Sequence, residues 1–256
     1  RLLPKELDIK PLVEEAKAQL LAEADYTLEA QYLARYKTLL STNPHFKVPS
    51  VYVEHSTAQV LTMEYVDAKP IEGICDLPAA ERSHVAEQLI DLFFKEMFEF
   101  KLIQTDPNFA NFHYQPESQK IVLFDFGATR EITATLSDAY LALFKAGSNN
   151  DREGVRNAAT AIGYFKDALK DDYKESVIDL FLMACEPLRY NGEFDFKNSE
   201  LASNIKDAGL QLSAQSQQWH TPPVDALFIH RKLAGLYLIA ARLEAKIKIK
   251  ALFSHY

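Results

Sequence analysis

Three residues suited to phosphate and metal chemistry fall within twenty positions of one another: Asp106, Asn111 and Asp125. They lie in the stretch from Ile103 to Arg130, I-Q-T-D-P-N-F-A-N-F-H-Y-Q-P-E-S-Q-K-I-V-L-F-D-F-G-A-T-R. A carboxylate and an amide oxygen are hard donors. Mg²⁺ usually takes only one or two protein carboxylates and completes its shell with substrate phosphates and water. A further carboxylate, five residues before the asparagine, is placed to orient a nucleophile or accept its proton. For these groups to converge, the chain between them must turn back on itself. The apolar runs Asn111-Phe112-His113-Tyr114 and Ile121-Val122-Leu123-Phe124 flank a polar Gln-Pro-Glu-Ser-Gln-Lys segment, which predicts a hairpin. The hairpin holds Asn111 at the start of one strand and Asp125 at the end of the other.

An aspartate, an asparagine five residues later, a hairpin and then D-F-G is the order of a kinase catalytic loop and its metal-binding segment. The tripeptide alone carries little weight; the compound pattern is much rarer. One element departs from the ordinary motif: Gln104 stands where the histidine of H-R-D would be.

Q-T-D-P-N-F-A-N-F followed by L-F-D-F-G-A-T-R-E closely resembles the UbiB family of atypical kinase-like proteins (AarF domain), in particular the branch that supports ubiquinone (coenzyme Q) biosynthesis. Glu23-Ala24-Asp25-Tyr26 resembles the family's E-x-D motif, and His230-Arg231-Lys232-Leu233-Ala234-Gly235 its C-terminal signature. The likeness runs over nearly the whole chain. It implies an α+β, protein kinase-like fold: a remnant of the N-terminal lobe over 1–66 and a mostly helical C-terminal lobe over 67–256. It implies Mg²⁺ and ATP between the lobes, with Asn111 and Asp125 as metal ligands, Asp106 as the catalytic carboxylate, and Glu23 and Asp25 organising nucleotide and metal. Ubiquinone-biosynthesis proteins and a lipid or membrane surface are the implied partners. The implied location is the cytoplasm or the inner-membrane periphery, or the mitochondrial matrix in a eukaryote. The resemblance also places a K-x-G-Q motif, an alanine-rich nucleotide loop and a strand lysine before Arg1. The sequence holds none of these, so it reads as the remainder of a longer protein.

Composition narrows the alternatives. The 256 residues are 48% hydrophobic and 25% charged, ordinary for a globular protein. A net charge of −8 argues against a nucleic-acid-binding surface. Cys75 and Cys185 lack metal-ligand spacing, which speaks against zinc and for a reducing compartment. No apolar run is long enough to span a bilayer, and no G-x-G-x-x-G is present.

Along the chain, Asp8 and Pro11 predict the start of a long amphipathic helix reaching Leu40 with breaks, stopped by Ser41-Thr42-Asn43-Pro44. Glu23 alone reads as a solvated glutamate; with D-F-G downstream it reads as the helix glutamate that pairs with an ATP-binding lysine. Asp25 falls about 200° from it around the helix. Val48–Val53 and Gln59–Val66 predict an antiparallel pair. The second run resembles a kinase hinge, with backbone groups of Glu64 and Val66 toward an adenine edge and Met63 behind; an ordinary edge strand is the alternative. Val85 to Leu102 carries the apolar stripe of a buried helix. Segments 136–146, 153–162, 173–185, 201–212 and 224–247 predict helices. Trp219 reads as a packing anchor. The alternating Lys246, Lys248 and Lys250 suit a solvated helix end or a membrane surface.

Three functions compete. The first is an atypical kinase-like ATPase. The second is a pseudokinase-like nucleotide sensor or scaffold for a lipid-biosynthesis complex. The third is a small-molecule phosphotransferase, which shares the Asp-to-Asn spacing but carries a different metal motif. No A-P-E segment or long activation loop follows Gly127, which weakens any claim of protein phosphorylation.

Overall fold

The computed structural model describes residues 14, 17, 20–21, 24–165, 169–214 and 223–256. Asp8, Pro11 and Trp219 lie outside the described residues.

Helix α1 spans Tyr26–Leu39. Asp25 is its N-cap, with extended dihedrals and a carboxylate that accepts from Thr27 N at 3.0 Å. The long helix expected to reach Leu40 with breaks is interrupted here: helical backbone recurs at 14, 17, 20 and 21, turns at Ala24, and restarts at Tyr26. Leu33 and Tyr36 form the buried stripe of α1.

Four short strands make one mixed sheet: β1 (Phe46–Lys47), β2 (Lys69–Pro70), β4 (Phe112–Gln115) and β5 (Lys120–Leu123), in the order β1-β5-β4-β2. β4 and β5 form the hairpin, with Phe112 opposite Leu123. Gln119 takes a left-handed turn conformation, φ 54°. β1 joins β5 in parallel, so the segment before residue 66 is tied to the hairpin by backbone bonds.

The expected antiparallel pair over 48–53 and 59–66 is reduced to isolated bridges, Val51 with Met63 and Thr57 with Val60. Two causes are visible. Pro49 offers no N–H to a ladder. Hydroxyls also compete for the backbone: Ser56 Oγ donates to Tyr52 O, Thr62 Oγ1 donates to His55 O, and Thr57 Oγ1 accepts from Gln59 N and Val60 N.

Helix α2 (Ala79–Lys95) runs into a π-helical turn, Glu96–Phe100, that ends with Lys101 left-handed at φ 51°. β3 (Leu102–Gln104) follows and pairs antiparallel with β6 (Thr129–Glu131). The C-terminal part is helical: α3 (Ala134–Ser148), α4 (Arg152–Ile162), α5 (Asp171–Ala184), α6 (Glu186–Arg189), α7 (Leu201–Ala214), α8 (Val224–Arg242) and α9 (Ile249–Phe253).

The helix expected to reach residue 247 stops at Arg242. Glu244 turns at φ 55°, and β8 (Lys246–Ile247) pairs with β7 (Phe194–Asp195). Ile247 and Ile249 are buried while Lys246, Lys248 and Lys250 are exposed, the period of a strand rather than a helix.

Helix α8 places His230 partly buried within the helical part, where its Nε2 is 3.1 Å from Tyr140 Oη and its Nδ1 2.9 Å from Tyr164 Oη. Burial holds the imidazole pKa down at about 4, against an ordinary 6.5. Between these values the unfolded chain binds a proton that the folded chain refuses, so stability falls as pH drops through that window. Urea unfolding should show a loss of up to about 3 kcal/mol from this residue on acidification from about pH 7 to about pH 4. His230→Phe should flatten the profile, while His113 and His45, also lowered by burial, keep a residual slope.

Candidate functional site

The loop from β3 to β4 carries Asp106. It is fixed at its base by Thr105, whose backbone N–H and hydroxyl both donate to Ala128 O, at 2.9 and 2.8 Å. Ala128 follows Asp125-Phe126-Gly127 directly, so the catalytic-type loop and the D-F-G segment are clamped to one another. Asn108 caps a 3₁₀ turn over Phe109–Asn111 by accepting from Ala110 N at 3.1 Å. That turn presents Asn111, whose Nδ2 donates to Asp106 Oδ2 at 2.9 Å and to Asp106 O at 3.3 Å. The amide nitrogen is thereby engaged, which leaves Oδ1 as the atom available to a cation.

Asp125 Oδ1 accepts from Gly127 N at 2.9 Å. Phe126 is buried, with its ring 4.5 Å from that of Tyr36 on α1. Asn111 and Asp125 share the wall of a small internal gap of about 10 Å³. Asp106 and Asp125 line a cleft of about 460 Å³ together with Tyr26, Glu29, Leu61, Met63, Phe124, Gly127 and Ala128.

Glu29 escaped the sequence reading. It sits on α1, is 8% exposed, and accepts from Phe126 N at 3.4 Å. Burial first, and then the negative charge of Asp125, raise its pKa above the ordinary glutamate value; the Phe126 N–H partly opposes this. Its position was readable in principle, since Glu29, Leu33 and Tyr36 are spaced by four and three on one buried face. Glu23, expected in this role, lies outside the described residues. Asp25 is exposed and engaged as a cap.

Met63 lines the cleft. Glu64 and Val66 are not among its lining residues. Glu64 is engaged elsewhere: its N–H donates to Ser50 O at 2.8 Å, and its carboxylate meets Lys47 Nζ at 2.5 Å. That contact holds its pKa down at about 2.

Under the loop lies a buried polar cluster. Glu96 Oε1 accepts from Tyr36 Oη at 2.7 Å and from Gln104 N at 3.3 Å. Lys232 Nζ donates to Gln104 Oε1 at 2.9 Å and lies 3.9 Å from Glu96 Oε2. Lys232 and Glu96 are 2% and 1% exposed. Burial pushes the lysine pKa down and the glutamate pKa up, each partly countered by the other's charge. Arg231 Nη2 and Nε donate to Thr105 O at 3.0 and 3.2 Å, and Nη2 lies 4.0 Å from Asp106 Oδ1. A Cβ at Gly235 would come within 2.1 Å of Pro107 Cβ, so only glycine lets α8 approach the loop this closely. Arg130 meets Asp225 at 3.0 Å, which ties the residue after D-F-G-A-T to the same helix.

The donor set fits a hard cation. Glu29, Asp106 and Asp125 line one cleft, and burial together with the charge of Asp125 raises the Glu29 pKa. Among the described residues there is no cluster of three or more His, Cys, Asp or Glu able to cage a metal by itself. A site of one carboxylate and one amide oxygen, completed by phosphate, is the kind Mg²⁺ prefers.

The chain matches the ABC1 atypical kinase-like domain over residues 1–159. It is 33% identical to the mitochondrial atypical kinase COQ8B of Rattus norvegicus over 98% of this chain and 47% of the relative. It is 31% identical to the mitochondrial atypical kinase COQ8 of Saccharomyces cerevisiae over 98% of this chain and 50% of the relative. The chain thus spans about half the length of these relatives. A structure of the Rv3197–erythromycin complex from Mycobacterium tuberculosis superposes with a TM-score of 0.72, covering 98% of this chain and 62% of that one at 19% identity, a likeness of fold.

Removing Lys232 would strand the buried Glu96 carboxylate. Lys232→Met should cost about 3 kcal/mol in urea unfolding, and the double variant Lys232→Met/Glu96→Gln less than that single change. A purely additive pair would show that the two groups do not depend on each other.

Proposed function

This chain belongs to the ABC1 atypical kinase-like (UbiB) family, with its kinase-like α+β fold, and from that premise we propose an ATP-using phosphotransferase or ATPase whose site is the Asp106–Asn111–Asp125 cleft. One observation carries the reading: Asn111 is hydrogen-bonded to Asp106, while Asp106 and Asp125 line the same cleft. Mg²⁺, when bound, supplies charge neutralisation on the phosphate oxygens. Asn111 Oδ1 and the Asp125 carboxylate would hold it. Asp106, kept in place by Asn111 and flanked by Arg231, would orient the attacking hydroxyl or water and accept its proton. Met63 and Leu61 would pack against the base. Glu29, which lines the same cleft, would take the part of the helix glutamate that pairs with an ATP-binding lysine.

Between Gly127 and α3 the chain forms only the short β6, which favours a small acceptor or water over a protein substrate. A role in ubiquinone biosynthesis rests on the motif resemblance to that branch of the family, and the relatives named above are mitochondrial. Ubiquinone-biosynthesis proteins or a lipid surface are the corresponding partners. A location in the mitochondrial matrix would follow for a eukaryotic source. No helix among the described residues is long and apolar enough to cross a membrane.

A second reading, a nucleotide sensor or scaffold with little turnover, draws on one observation. Among the described residues no lysine or arginine forms an ion pair with Glu29, and a missing cation over the phosphates costs about 10² to 10³ in rate. The 256 residues as they stand should therefore bind Mg-ATP weakly and hydrolyse it slowly. The protein extended by the family's lysine-bearing segment should bind it tightly. Asp125→Asn in the extended protein should cut turnover by about 10² or more. Hydrolysis rates and Mg-ATP titrations on the three proteins check this. Full turnover by the 256 residues, or by Asp125→Asn, would contradict the assignment.

A further inference from the structure

A second cavity, of about 310 Å³, lies inside the helical part, away from the cleft, between α3, α5, α7 and α8. Its walls are aliphatic and aromatic, with Phe144, Val177, Phe181 and Leu233 among them. Tyr164 and His230 meet at its edge, and Tyr173, Tyr237 and Cys185 also line it. Apolar cavities do not hold water well, and this volume is within the range of small-molecule sites.

A proton count identifies what the polar edge lacks. Both ring nitrogens of His230 face a tyrosine hydroxyl, Tyr140 on Nε2 and Tyr164 on Nδ1. A neutral imidazole carries one N–H and one bare nitrogen. One tyrosine therefore donates to the ring, and the other accepts from it. The accepting tyrosine keeps a hydroxyl proton that has no acceptor among the described residues, although both tyrosines are buried. A buried donor without an acceptor is costly. Of the two tyrosines, Tyr164 lines the cavity.

We propose that this cavity binds an apolar small molecule bearing a single carbonyl-type oxygen, which accepts the hydroxyl proton of Tyr164. Binding selects the tautomer in which His230 Nδ1–H donates to Tyr164 Oη and Tyr140 donates to Nε2. The rest of the ligand lies against the aliphatic and aromatic wall. This site is independent of the phosphoryl-transfer reading, because neither His230 nor Tyr164 lines the cleft.

The test compares butyrophenone with butylbenzene, which has the same ring and chain without the oxygen, by calorimetry on the whole chain. The ketone should bind about tenfold more tightly than the hydrocarbon, as one added hydrogen bond requires. Tyr164→Phe should remove that preference while retaining the hydrocarbon's affinity. Gly209→Leu fills the cavity from α7, where a Cβ meets nothing within 4 Å, and leucine favours the helix over glycine, so this variant should fold and bind neither ligand. Equal binding of ketone and hydrocarbon, no binding of either, a ketone preference that survives Tyr164→Phe, or undiminished binding by Gly209→Leu would each overturn the proposal. If Tyr164→Phe does not fold, the wild-type ligand pair and Gly209→Leu decide it.

Discussion

The placement of the proposed phosphoryl-transfer site depends on a buried charge pair, Lys232 against Glu96, to which Gln104 and Tyr36 are hydrogen-bonded, while Glu96 Oε2 and Gln104 Nε2 are left without a hydrogen-bond partner. These four residues come from α8, the π turn after α2, β3 and α1. A charge in a wholly buried position is tolerated only when it is paired and hydrogen-bonded. Misplacing any one of the four elements would leave another group in the cluster stranded. The requirement fixes β3, and β3 fixes the loop that carries Asp106. Arg231, the next residue on α8, then holds the loop at Thr105 O, and Gly235 lets the helix seat against Pro107.

The same cluster accounts for the departure from the ordinary kinase motif. Gln104, in the place of the histidine, uses its backbone N–H on Glu96 and its side-chain oxygen on Lys232. The C-terminal helix thus takes part in the loop that a kinase histidine would otherwise brace. On the other side, Phe126 packs on Tyr36, so α1, the D-F-G segment and the buried pair share one core. Glu29 is held on that helix beside Asp125, whose charge adds to burial in raising the Glu29 pKa.

Much of this was legible in the sequence because it rests on local signals. The hairpin showed in two apolar runs around a proline turn, and the helices of the C-terminal part in their 3.6-residue period. The loop residues showed in their types and spacing. What was not legible rests on distant contacts or on competition between local forces. The segment from 48 to 66 has the composition of strands, yet Pro49 and three hydroxyl-bearing residues, Ser56, Thr57 and Thr62, take its backbone groups elsewhere. Lys246 to Lys250 alternates with the period of a strand, but a strand of two residues needs its partner at Phe194–Asp195 to be recognised. Glu23 drew attention through a motif, whereas Glu29 faces the site because it shares a buried stripe with Leu33 and Tyr36. The place of Lys232 could not be foreseen, because its partner Gln104 lies far away in the chain.

The central claim is that Asp106, Asn111, Asp125 and Glu29 form one electrostatic unit that awaits a divalent cation. Carboxyl NMR of Glu29, followed by pH titration with and without Mg²⁺, tests it most directly. The account predicts that Glu29 titrates above the ordinary glutamate value, that Mg²⁺ lowers its midpoint, and that Asp125→Asn lowers it without Mg²⁺ and abolishes the response. A Glu29 that titrates like a solvent-exposed glutamate and ignores both Mg²⁺ and Asp125→Asn would contradict it.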